Sequence, residues 1–157
     1  MADVMKAAGL THGGFYGYFK SKDDLIAQTL AHVSAEGPAE IDLARYAESY
    51  LSQRNYQNVA GGCAVAALGC ETSRQTHEAR AAMTKGLRQH IERLSRSAKG
   101  KTAAEKRRAA IGSYAAMLGA MIMARFSDDP KLSEELLAQT RAWIAGAATS
   151  RGRAVTR

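Results

Sequence analysis

The sequence predicts an all-α fold. Three observations carry that expectation. Alanine is abundant and β-branched residues are sparse, a balance that favours helix over strand. Only 2 prolines interrupt the 157 residues. Apolar residues recur at three- and four-residue spacings, with neither long alternation nor an internal repeat.

The bulk composition fits a chain that builds its own core. Hydrophobic residues make up 46% and charged residues 24%, so disorder is not expected. The length suffices for a core without staples. The first residues carry no charged-then-apolar signal pattern. No run of about 18 apolar residues occurs, so no transmembrane helix is expected. Cys63 and Cys70 alone do not make a disulfide framework and point to a reducing, cytoplasmic setting.

Taken in order, residues 2–8 form a short helix with Val4 and Met5 as core candidates, stopped by Gly9. Thr11 caps a second short helix over 12–19. Ser21 and Asp24 form a capping box that opens a helix over 22–35, with Leu25, Ile26, Leu30 and Val33 at helical spacing. Gly37-Pro38 breaks the chain. A helix over 39–52 places Leu43, Ala47, Tyr50 and Leu51 on one face. Residues 53–62 are polar, end in Gly61-Gly62 and read as a loop.

A small-residue helix covers 63–73, and a long helix over 76–98 sets Met83, Leu87, Ile91 and Leu94 against a basic face. Thr102 and Glu105 form a second capping box for a helix to 126. Its apolar stripe is Ile111, Tyr114, Ala115, Leu118, Met121 and Ile122, and its small-residue stripe Gly112, Ala116, Gly119 and Ala120. Asp129-Pro130 opens the last helix, to 149, burying Leu132, Leu136, Leu137, Trp143 and Ile144. The division expected is 1–36, 37–150, and a flexible basic tail over 151–157.

The net charge of +7 is unevenly placed. Residues 1–36 hold three lysines against four acids, whereas residues 74–108 hold eleven Lys/Arg against three glutamates. The basic face at 74–108 reads as a solvated helix surface, or as a surface for an anionic effector or partner.

Residues 2–25 carry the chain's most specific pattern: two short helices around a tight, glycine-containing turn, which is helix-turn-helix geometry. The second helix holds Gly13, Gly14 and Gly17, each costing about 1 kcal/mol relative to alanine. Phe15 and Phe19, four apart, supply its buried face. The glycines allow close approach of another surface, such as a DNA groove. Thr11, His12 and Gly13 would lie nearest the base edges. Tyr16 and Tyr18 can donate to phosphates, and Lys22 opens the next helix, where the dipole also favours an anion.

Ala7-Ala8-Gly9-Leu10-Thr11, Gly13-Gly14-Phe15-Tyr16-Gly17-Tyr18-Phe19 and Ser21-Lys22-Asp23-Asp24-Leu25 together resemble the signature of the TetR family. The run from Gly62-Cys63 to Glu71 resembles the ligand domain of one TetR subgroup, and the last two long helices are similar to the family's dimer bundle. The resemblance implies a helix-turn-helix DNA-binding domain followed by a helical-bundle ligand-binding and dimerisation domain. It implies a regulator, in most cases a repressor, with a double-stranded DNA operator, a small-molecule effector and a homodimer as partners. It also implies that Met83, Leu87, Tyr114, Leu118 and Met121 line the effector pocket, where plain core is the alternative.

Family members usually begin with about 30–40 further residues, including a helix that packs under this motif. The expectation is therefore a truncated helix-turn-helix domain with weakened DNA binding. The rival reading is a dimeric ligand-binding module without autonomous DNA binding.

Cys63 and Cys70, seven apart on one helix face, read either as small buried residues or as a thiol sensor. His32, His77 and His90 have no partner at metal-ligand spacing. No catalytic constellation, cofactor motif or metal site is expected.

Overall fold

The computed structural model describes residues 1–35 and 38–149. The expected tail at 151–157 lies outside the described residues. The described residues are helical, without strands. They form two compact units, residues 1–35 with 68–89, and residues 38–67 with 90–149.

The first unit holds α1 (Ala2–Ala7), a 3₁₀ turn (His12–Gly14), α2 (Phe15–Tyr18) and α3 (Lys22–Ala35). It also takes most of α6 (Ala64–Thr72) and the first part of α7 (His77–Ser97). Met5, Phe15, Leu30, Thr72 and Ala79 are buried. Val4, expected in the core, is 52% exposed. A six-residue helix turns one narrow face inward, and Met5 occupies it. The single helix expected over 12–19 is divided into a 3₁₀ turn and one α turn, as three glycines in seven residues allow.

The second unit holds α4 (Leu43–Tyr50), α5 (Gln53–Gln57), α8 (Ala103–Phe126) and α9 (Pro130–Thr149), with the rest of α7. Helix α8 is its axis: α9 packs along it, and α4 and α5 touch it. Several starts are fixed by side chains. Asp42 accepts the Arg45 amide at 2.9 Å, so α4 begins at 43 rather than 39. Ser52 accepts the Asn55 amide at 3.2 Å and starts α5, a short helix inside the expected loop. Thr102 and Glu105 make a reciprocal capping box, and Asp129 accepts the Lys131 amide at 2.9 Å.

The core of this unit comprises Ala47, Tyr50, Leu51, Leu94, Ala98, Leu137 and Ile144 around the α8 seam. That seam is Ala110, Ser113, Tyr114, Met117, Ala120, Met121 and Ala124. The expected stripe mixed two faces. Tyr114 and Met121 are buried, whereas Ile111, Ala115 and Ile122 are exposed. The two rows lie about 100° apart, and α8 is apolar across both, so periodicity alone did not separate them.

Leu132 and Trp143 of α9 are likewise exposed, the latter at 58%, not buried as expected. Position 133, a serine, takes the inward place and donates its hydroxyl to Ala124 O at 2.9 Å. Among the described residues, nothing beyond the helix's own nearby backbone comes within 4 Å of where a Cβ on Gly112 or Gly119 would sit. Helix α8 is long and apolar enough to cross a membrane by length and composition. Its buried row is nonetheless the seam of a multi-helix core.

Candidate functional site

The first unit presents a short turn whose back is fixed and whose front is bare. Helix α1 ends with Gly9 at φ 70°, a left-handed conformation that glycine adopts without strain, and the Leu10 amide donates to Met5 O at 2.8 Å. The chain then enters the 3₁₀ turn, where Thr11 Oγ1 accepts the Gly14 amide at 3.2 Å. Phe15 anchors α2 from behind at 2% exposure. Its ring meets Tyr16 edge-on at 5.1 Å and Phe19 at 5.5 Å.

The outward face carries Tyr16 at 72% and Tyr18 at 64% exposure. Thr11, Gly13 and Lys22 are also exposed. A Cβ at Gly13 or Gly17 would meet nothing within 4 Å, so packing within the chain does not demand glycine at either position. The backbone of His12 lies on the 3₁₀ turn; its side chain lies outside the described residues.

Lys22 opens α3, with Ser21 Oγ accepting the Asp24 amide at 3.1 Å. The Asp24 carboxylate reaches back to the Lys20 amide at 2.8 Å, one residue before the cap, and accepts from Gln28 at 3.1 Å. The Lys20 amide, then Gln28, hold its pKa below the ordinary carboxylate value.

The basic face of α7 borders a shallow groove of about 540 Å³, edged by Arg80, Lys85 and Arg88. These cations belong to the first unit, although the sequence places them far from residues 1–36.

The second unit contains a cleft of about 420 Å³ whose walls include Tyr46, Ser49, Tyr50, Asn55, Asn58 and Cys63. Arg54 stands on the same wall, and no aspartate or glutamate does. Tyr46 and Tyr50, one turn apart on α4, have ring centroids 5.5 Å apart. The His90 ring lies tilted at 5.1 Å from Tyr46 and 4.5 Å from Tyr114, and Tyr50 meets Tyr114 at 6.5 Å. Cys63 Sγ lies 3.6 Å from Tyr114 Oη.

Burial raises the pKa of all three tyrosines, and burial followed by the Arg93 charge lowers that of His90. Among the described residues, the Tyr50 hydroxyl, His90 Nε2 and Arg125 Nε are buried without a hydrogen bond.

None of the five residues expected to form a pocket is on this cleft wall. Met121 is solid core, Tyr114 stands behind Cys63, and Leu118 is half-buried. Met83 and Leu87 are half-buried in the first unit. Helical spacing identifies inward-facing residues but does not separate close-packed core from cavity wall. Tyr46, Asn55 and Arg125 were not singled out from the sequence. The one local signal was the Tyr46–Tyr50 pair beside a polar, Gly-Gly-terminated segment. Both cysteines are free thiols, Cys63 half-buried and Cys70 exposed.

Residues 1–29 match the family described as bacterial regulatory proteins, tetR family. The fold is similar to that of the reduced form of E. coli NemR, with a TM-score of 0.70 and 25% identity. The similarity covers 93% of this chain and 84% of that one. No curated protein matches. The tetR-family match at the N-terminus and a NemR-like fold along nearly all of the length together support a TetR-type DNA-binding transcriptional regulator.

Proposed function

We propose that the chain is a homodimeric, ligand-responsive repressor acting in the cytoplasm on a double-stranded DNA operator. The observation that carries this reading is the bare front of the N-terminal turn. Two tyrosines stand out beside glycines that the chain's own packing does not require, while Phe15 holds the turn from behind. Close approach of a major-groove wall uses glycine backbone in just this way. Thr11, His12 and Gly13 face base edges; Tyr16, Tyr18 and Lys22 hold phosphates.

Dimerisation is supported by the exposed apolar row Ile111, Ile122 and Phe126 on α8, and by Leu132 and Trp143 on α9. Gly112 and Gly119, with open space above them, suit close packing of a second copy. The effector occupies the tyrosine-lined cleft, with Tyr114 behind its wall. Occupancy lowers operator affinity through a coupling of about 1–3 kcal/mol. Cys63, on that wall, would make the cleft sensitive to thiol chemistry.

Fluorescence anisotropy against DNA from upstream of the chain's own gene, at two salt concentrations, tests the reading. Sequence-dependent binding that weakens steeply with salt is the expected result. A folded dimer that binds no such DNA would refute autonomous DNA binding and leave the ligand-binding module as the function.

A further inference from the structure

Two donors at the tyrosine-lined cleft lack acceptors. Tyr50 is 5% exposed, and its hydroxyl makes no hydrogen bond, although the Cys63 thiol lies beside it. A phenol buried in this way keeps its proton and has a hydrogen bond to donate. Arg125 reaches the same wall: a Cβ on Gly62, one of its lining residues, would lie 2.9 Å from Arg125 Nη2. The Arg125 Nη2 group donates to Asn55 O at 2.8 Å and to Asn58 O at 3.4 Å, both residues of the cleft wall. Its Nε–H, also buried, has no acceptor.

No carboxylate lies within ion-pair distance of Arg125 among the described residues, and none lines the cleft. A guanidinium cannot shed its proton, so a fixed positive charge sits behind the wall without a counter-ion. An unpaired buried donor is costly, and the partly buried guanidinium adds a charge that an anion would offset. Both deficits would be met by one planar group carrying two acceptor oxygens and one negative charge.

We infer that the cleft binds a small organic monocarboxylate, its carboxylate taking the Tyr50 and Arg125 donors and its body resting among Tyr46, Ser49 and Asn58. This rests on the reading of the cleft as the effector site. A carboxylate is favoured over a phosphoryl group because the deficit is two donors on one charge. A phosphate dianion would bring twice the charge and further oxygens to satisfy. Arg54, exposed on the same wall, attracts anions of either kind and does not choose between them.

The test is calorimetric titration of the full chain at constant ionic strength. Acetate, propanoate and benzoate are each paired with their neutral amide, and inorganic phosphate is run alongside. At least one acid is expected to bind about ten-fold or more tightly than its amide and than phosphate. Tyr50→Phe is expected to lose about ten-fold in that affinity while its ligand-free Tm does not fall, because the hydroxyl removed had no partner. Arg125→Lys, checked for folding by circular dichroism, should lose affinity as well.

Equal binding of acid and amide, no binding by any acid, tighter binding of phosphate, or an unaltered Tyr50→Phe would each overturn the inference. Operator release is measured separately by anisotropy. Acid binding as expected without release upholds the site and refutes the effector role. Release by an amide as readily as by its acid overturns the ligand class and leaves the effector role standing.

Discussion

Gly62 gives the sharpest test of how the cleft is built. A Cβ on Gly62 would lie 2.8 Å from Asn58 O and 2.9 Å from Arg125 Nη2. The first atom is backbone and the second is held by its bond to Asn55 O at 2.8 Å, so neither yields freely. In Gly62→Ala the guanidinium must leave that carbonyl, losing a hydrogen bond to a charged group worth about 1.5–3 kcal/mol. Glycine-to-alanine replacement returns about 0.4–1 kcal/mol by restricting the unfolded chain. Gly62 has no left-handed φ that would add strain.

The net expectation is a loss of about 0.5–2.6 kcal/mol, which at this chain length lowers Tm by about 1–10 °C. Gly61→Ala is the control. Its Cβ would meet only the end of the Asn58 side chain, at 2.9 Å, and that amide can turn away. The control should lose at most about 0.5 kcal/mol, since the hydrogen bond from the Gly61 amide to Asn58 is exposed. Urea unfolding of both variants decides the matter. If Gly62→Ala matched the parent chain, or the two variants fell equally, the proposed hold of Arg125 on the cleft wall would be wrong.

Phe15→Ala should cost about 3–5 kcal/mol by thermal unfolding, because the ring is buried at the base of the DNA-facing turn. Tyr16→Ala, at an exposed position, should change stability by less than about 0.5 kcal/mol and weaken DNA binding in the anisotropy assay. Thr102→Ala removes the hydroxyl that accepts the Glu105 amide at 3.1 Å and should cost about 1 kcal/mol in urea unfolding, with little change at Lys101→Ala.

Lowering the pH below about 6.5 should reduce stability through His90. Its folded pKa is depressed by burial and by Arg93, between the Tyr46 and Tyr114 rings. The unfolded chain therefore takes the proton first, and the loss develops as pH falls from the ordinary histidine value toward the lowered one. His90→Gln should flatten that part of the pH–stability curve, and an unchanged slope would rule the histidine out as its source.

How much of this was legible beforehand depended on whether the signal was local. Thr11, Ser21, Thr102 and Asp129 were readable as caps because each acts on an amide two or three residues away. The N-terminal motif was readable because its order of small, aromatic and lysine residues is contiguous. The α5 helix was missed because a polar five-residue helix has no apolar period to betray it. Its Asn55 carbonyl is held by Arg125, 70 residues away in the chain.

By itself the sequence determined the all-helical class, most of the helix starts, and the family motif that residues 1–29 match. Tertiary structure alone decided which of two apolar rows on α8 became core and left Ile122 and Trp143 outside. It also brought His90, Tyr114 and Arg125 against Tyr46, Tyr50, Asn55 and Cys63, which line the cleft. The reason is physical. Caps and turns are satisfied by bonds within a few residues, and their chemistry is written where they stand. A choice between two apolar faces, or the stranding of a buried donor, depends on which distant helix arrives opposite.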